Sequence, residues 1–366
     1  MNKLLPRILI LLLVSLLTAA SFAQKPRLKF KSIKASDGLI NSTVQAIFED
    51  SYGFIWLGTH HGLQRYDGKS FTNFTSEGTD STGLSHNYIN DFCEDDNGDI
   101  WIATSIGLNW YSREQDRIFH YRWKRQNGQQ FDDLGATKVL HDDSDPDIIW
   151  ITTGKSQLIR LNIRSDQADV YNLPVDGIAF VLKPLKTRQY QHHLLLGATE
   201  LFIFDKNSGQ FSSVYALEQS NKVRDNRFND AVFDPGDPNT VWLATGDIWG
   251  RGTLGGLLKL NLESGQSKLF TWKNRPGEIP DRHILTVCFS GPDKLWVGTR
   301  NYGALLYDMK QDRFFNYQYN EYDEGSLVTE NAIRSMLLDR SGTLWFGTWG
   351  DGASVLSPAL QKFTHY

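Results

Sequence analysis

The chain has 366 residues, enough for one large domain or two ordinary ones. Aromatics are 13% and charged residues 22%, with 31 Gly and only 11 Pro, a globular composition that excludes disorder, collagen and coiled coil. The net charge of −4, or −6 without residues 1–23, leaves no electrostatic footprint for nucleic acid, and two cysteines can build neither a disulfide scaffold nor a zinc site.

Residues 1–23 read as a secretory signal peptide. Lys3 and Arg7 form the positive start, residues 8–17 a short apolar run, and Ser21-Phe22-Ala23 the small residues before a cut at Gln24. The run is shorter than the ~20 residues of a membrane span. The expected product is periplasmic or secreted, with no span left after cleavage, and residues 24–366 as its folded domain.

From there a short phrase recurs: Trp56-Leu57-Gly58-Thr59, Trp101-Ile102-Ala103-Thr104, Trp150-Ile151-Thr152-Thr153, a degenerate Leu195-Leu196-Gly197-Ala198, Trp242-Leu243-Ala244-Thr245, Trp296-Val297-Gly298-Thr299 and Trp345-Phe346-Gly347-Thr348. The copies lie 45 to 54 residues apart, a period that suits a four-stranded propeller blade. An alternating run such as Val44-Gln45-Ala46-Ile47-Phe48 precedes the phrase. A turn follows with Asp, then Gly, then Trp at three-residue steps, as in Asp50/Gly53/Trp56, Asp95/Gly98/Trp101 and Asp339/Gly342/Trp345. Glycine supplies the turn's positive φ and the Asp side chain bonds its backbone. A second turn ends in Gly62, Gly107, Gly256, Gly303 or Gly352, and two more strands complete each unit.

The pattern predicts an all-β fold, a seven-bladed β-propeller of four-stranded antiparallel blades. Radial packing lets each sheet cover the next and leaves only short edges. Each phrase Trp is then expected between adjacent blades, where burying 150–250 Å² contributes at most roughly 4–6 kcal/mol. Residues 29–33 and 362–366 both read as outer strands, one more than seven units need. One of them is expected to close the ring beside residues 353–356, leaving the other surplus.

The run from Asp37-Gly38-Leu39-Ile40-Asn41 through Trp56-Leu57-Gly58-Thr59 to Gly62-Leu63-Gln64-Arg65-Tyr66-Asp67-Gly68 resembles the two-component regulator propeller repeat. The later units match more loosely and the fourth poorly. The resemblance implies the periplasmic sensor region of a hybrid two-component system, in which such propellers detect oligosaccharides. It also implies partners outside this chain: a second propeller, an immunoglobulin-like domain or a kinase.

In a propeller, the loops entering the innermost strand and those joining the second and third strands share one face. That places Asn41, Ser42, His60, His61, His86, Asn87, Ser105 and Asn226 near one mouth of the channel. Arg227, Arg282, His283, Arg300, Asn301, Glu330, Asn331, Trp349 and Asp351 join them. Polar groups converging with aromatic platforms suit an oligosaccharide or another small polar ligand; solvated loops have the same composition. The fifth unit adds a long loop, 246–256, whose Trp249 offers a stacking platform and whose Arg251 offers a clamp for a carboxylate or hydroxyl. The ligand-binding set is therefore His60, His61, Asn87, Arg227, Trp249, Arg251, Arg282, Arg300, Asn301, Trp349 and Asp351.

No catalytic set, metal site or cofactor is expected. His60-His61 and His192-His193 have no supporting ligands at a useful spacing, and adjacent residues on a strand point apart. Cys93 and Cys288 fall in the second and sixth units, too far apart to bridge. No nucleophile elbow, zinc-protease motif or phosphate loop occurs. The expected function is a non-catalytic sensing module, with an interaction scaffold or a propeller glycosidase or lyase as alternatives.

Overall fold

In the computed structural model, residues 25–361 are described, except 77–82, 122, 126–129, 132–134, 188, 219–225, 274, 276 and 328–331. The signal-peptide expectation and the strand reading of 362–366 lie outside the described residues.

Seven sheets follow one another around a ring, and in each the first four strands from the axis outward run in chain order, except that the outermost strand of the last blade comes from the N-terminal segment. The innermost strands are Val44–Glu49, Ile89–Glu94, Ala136–His141, Val181–Pro184, Phe228–Asp234, Ile284–Gly291 and Ile333–Leu338. The phrase lies on the second strand of each blade, as in Ile55–Thr59 and Leu344–Thr348. Each phrase Trp is buried, and it packs across a blade boundary. Trp56 joins Ile89, Phe92 and Ile102 of blade 2, and Trp345 joins Val44 and Leu57 of blade 1. At the fourth unit Leu195 takes the position, and the boundary to blade 5 is filled by aliphatic side chains and Phe228.

The Asp of the first turn does more than order the backbone. Asp50 accepts from the Tyr52 and Phe54 amides and, at 2.7 Å, from the Trp56 indole N–H. The same indole bond joins Trp101 to Asp95, Trp150 to Asp142, Trp242 to Asp234 and Trp345 to Asp339. A buried indole needs an acceptor, so spacing that reads only as turn chemistry also fixes the tryptophan. The small residue of the phrase has a steric cause. A Cβ on Gly347 would stand 2.7 Å from the Val44 carbonyl oxygen, where the next blade's innermost strand crosses. The phrase Thr closes the second turn: Thr59 Oγ1 donates to the Gly62 carbonyl, and Thr104, Thr245, Thr299 and Thr348 do likewise in their blades.

The ring closes through the N-terminal segment. Lys31–Ile33 pairs antiparallel with Ala353–Leu356, Lys31 opposite Val355 and Ile33 opposite Ala353. Phe30 beside it is buried against Trp296, Tyr317 and Phe346. After the last blade the chain turns into a short helix, Pro358–Gln361, and the Gln361 side chain bonds both Lys29 backbone groups.

One blade adds to the expected four strands. Six blades have four strands, but blade 3 has six: Trp123–Arg125 adds parallel to Gln167–Asn172, and Gln130–Phe131 adds beyond it. A two-strand hairpin inserted before the innermost strand folds back over the outer edge, which four-strand counting does not detect.

Candidate binding site at the channel mouth

The entry loops and the second-to-third-strand loops share one face. Its centre is built by the long blade 5 loop, which folds inward over the channel. Asp247 organises it. This fully buried carboxylate accepts from the Trp249 and Arg251 amides at 3.0 and 2.7 Å. The Arg251 and Arg227 guanidinium groups lie 3.5 and 3.8 Å from it. Burial pushes the Asp247 carboxyl up, but the two amide bonds and the two arginines outweigh it and hold it below the usual range. Thus Ile248 is set down on Leu285 and Ala332 of blades 6 and 7, beside Trp349. The return of the loop depends on Gly255. Its φ is +130°, and a Cβ there would lie 2.4 Å from the Arg282 carbonyl oxygen.

The loop delivers Trp249 to Trp349, ring centres 5.4 Å apart and nearly edge-on. Trp249 stays 51% exposed, an unusual position for an indole that packing alone does not require. Arg300 lies over the Trp349 ring at 5.6 Å and donates to the Ile248 carbonyl. Arg227 lies over Phe180 of blade 4 at 5.6 Å. Blades 4 to 7 thus contribute an aromatic wall with guanidinium groups set among the rings. On the opposite rim, His60 stacks on Tyr88 at 4.1 Å. Burial, with Arg334 adding to it, pushes the His60 pKa down.

Arg227, Trp249, Arg251, Arg300 and Trp349 therefore come together, with His60 across the opening. The other expected residues serve the loops themselves. Asn87 accepts from the Ser76 amide, and its carbonyl accepts from Gly62. Asn301 is tied to Asp281 through backbone and side chain. Arg282 donates to the Thr253 carbonyl and stands over Trp272, in a separate cleft of about 370 Å³ toward the rim. His61 and Asp351 are exposed at turns, held through amide bonds to Thr59 and Thr348. Glu330 and Asn331 lie outside the described residues. Cys93 and Cys288 are unbridged thiols, both pushed up by burial, Cys288 to about 11.

Sequence reasoning missed the channel lining beneath the mouth. Six innermost strands begin with a β-bulge, which turns one residue toward the axis. The bulged residues are Gln45, Asn90, Thr137, Asn229, Leu285 and Arg334, and blade 4 supplies Phe180 at this level. They ring a cavity of about 380 Å³. The available signal was positional: each bulged residue follows the buried residue that opens its innermost strand.

The family model described as "Two component regulator propeller" matches residues 38–61, 83–105 and 328–350. The histidine kinase P4 of Formosa agariphila is 38% identical over 74 residues, which are 20% of this chain and 5% of that protein. Among solved structures, the extracellular domain of BT3049 from B. thetaiotaomicron, described as a hybrid two-component system, superposes with a TM-score of 0.72 at 22% identity. It covers 90% of this chain and 42% of that one. The extracellular domain of BT4673 from the same organism gives 0.71 at 20% identity, covering 90% and 40%. The chain spans less than half the length of these relatives. Virginiamycin B lyase from Staphylococcus aureus gives 0.62 at 12% identity, with 90% and 99% covered. The segments that match the two-component regulator propeller model fall in blades 1, 2 and 7 of the seven-bladed ring.

Proposed function

We propose that this propeller is the extracytoplasmic sensing module of a two-component-type signalling system, and that it binds an oligosaccharide at the channel mouth without turning it over. The observation that carries this reading is the Trp249–Trp349 pair, framed by Arg300 and Arg227 and assembled from three consecutive blades and their entry loops. Exposed indole faces next to fixed hydrogen-bond donors match the apolar face and hydroxyl edge of a sugar ring. The relatives named as extracellular domains of two-component systems support the location and the sensing role. Occupancy transmits a signal only if the ligand binds unequally to two packing states of the propeller against a neighbouring domain. Because the mouth loop spans blades 5 to 7, a ligand seated on it stiffens their relative positions.

The test is a glycan array followed by calorimetry. A defined oligosaccharide hit, with affinity lowered at least about tenfold in Trp249→Ala, supports the reading. Binding that is unchanged in Trp249→Ala removes this loop from the site. A second reading is favoured by the whole-length likeness to a lyase. New products on incubation with the bound sugar would replace the sensor reading with an eliminating or hydrolysing enzyme.

A further inference from the structure

Three of the bulged residues at the top of the channel act alike, each reaching toward the next blade. Asn90 donates to the Ala136 carbonyl, Thr137 to the Ala179 carbonyl and Asn229 to the Ile284 carbonyl. Small neutral side chains are sufficient for this. Blade 7 places Arg334 at the same position, and its Nε donates to the Gln45 side chain at 3.1 Å. That single bond completes the link between blades and uses one of five guanidinium donors. Among the described residues, no carboxylate lies within 4.0 Å of Arg334 and no acceptor is bonded to its Nη groups.

A half-buried arginine in the channel wall without a carboxylate partner is costly unless something else meets its charge. The surroundings do not supply it. Burial pushes the Arg334 pKa down and Arg227 pushes the same way, against Tyr88 and Asp230. Asp230 is already committed to the next blade, accepting from the Thr286 hydroxyl and the Val287 amide. Asp91, the other carboxylate of the lining, is paired with Lys138 and accepts from the Val139 amide. Lys183 adds a further cation lower down. The chain as a whole is acidic, so this cationic channel runs against the global charge. Low-dielectric walls concentrate its potential at the opening. Close by, His60 Nε2 is buried with no hydrogen-bond partner among the protein atoms.

We propose that the channel mouth binds an oxyanion carried by the ligand, a sugar carboxylate or sulfate ester, with the Nη edge of Arg334 as principal donor and His60 beside it. The guanidinium fork matches the two oxygens of a carboxylate, or two of the three terminal oxygens of a sulfate ester. The inference rests on the sugar-binding reading above and narrows it to acidic oligosaccharides. The indole pair holds the ring at the rim while the charged substituent points down the axis.

The experiment is thermal unfolding and calorimetry of the full chain with sodium glucuronate and galactose 6-sulfate, against glucose, galactose, sodium chloride and sodium sulfate at matched ionic strength. At least one acidic sugar should raise Tm beyond its neutral parent and beyond chloride, and the better of the two identifies the group. Arg334→Gln, which keeps a donor for Gln45, should weaken that binding about tenfold or more. It should also unfold no lower than the wild type without ligand, because the unpaired charge is gone. Arg334→Lys keeps the charge without the fork, should retain part of the binding, and serves if the glutamine variant does not fold. No preference for acidic sugars, or equal binding by both variants and the wild type, overturns the proposal. Neutral oligosaccharides alone binding leaves the sensor reading standing and removes this one. Stabilisation by inorganic sulfate alone, dependent on Arg334, keeps the anion site and removes the sugar.

Discussion

The two faces of the ring are made from the same seven units, yet they differ in kind. On the face of the first turns, five blades repeat one device, an Asp that orders its turn and accepts the indole N–H of the phrase Trp. On the mouth face almost nothing repeats above the closing Thr bond. Blade 1 crosses with His60 and His61, whereas blade 5 takes eight residues, 247–254, to make the same connection. Repetition marks what every blade needs to pack on the next. Variation marks what only this protein needs, and a carboxylate such as Asp247 has different work in each setting. Asp50 serves an interior tryptophan, whereas Asp247 serves a loop whose tryptophan stays in solvent.

Substitutions on the two faces should therefore separate stability from binding. The largest loss of stability is expected at a phrase tryptophan. Trp56→Ala removes a side chain buried between blades 1 and 2 and should cost about 3–5 kcal/mol, read by denaturant unfolding. Asp95→Ala comes next. It leaves the Trp101 indole and two turn amides without their acceptor and should cost about 2–3 kcal/mol. A similar loss by either route at Trp249 would erase the distinction between the faces.

Acid offers an intermediate test on the turn face. Burial pushes the Asp142 carboxyl up, but bonds from Ser144, Trp150 and Lys206 outweigh it and hold it at about 2, against 3.8 for the free group. A depressed carboxyl stabilises the fold fully above its unfolded pKa, and that contribution is lost as pH falls through the folded value. Between pH 4 and pH 2, wild type should lose about 2 kcal/mol that Asp142→Asn does not lose. Parallel acid curves for the two proteins would show that this bond network carries no net stability. The smallest effect on stability belongs to Trp249→Ala, within about 1 kcal/mol of wild type, because half of that side chain is in solvent.

This contrast also explains how much was legible in the sequence. The blade period and the interblade tryptophans were readable because packing demands the same residue at the same step in six of the seven blades, and strand counting showed that a terminal segment closes the ring but not which one. The candidate site stood out in the sequence only where it breaks the pattern, as in the long loop with Trp249 and Arg251. Asn87 and Asn301 look like ligand groups in a linear reading, but loops need such side chains for their own backbone, and both are used that way. Arg334 escaped because its strand reads as ordinary alternation; a bulge turns it to the axis, and bulges leave little trace in composition. The hairpin added to blade 3 escaped because its two strands are only three and two residues long.

The most direct measurement is calorimetric titration of wild type, Trp249→Ala and Trp349→Ala with the oligosaccharide selected by a glycan array, beside their unfolding midpoints. Recognition at the mouth predicts at least about a tenfold loss of affinity in both variants, with Trp249→Ala unfolding near the wild-type temperature. Wild-type affinity in both, with the same ligand and stoichiometry, would contradict it.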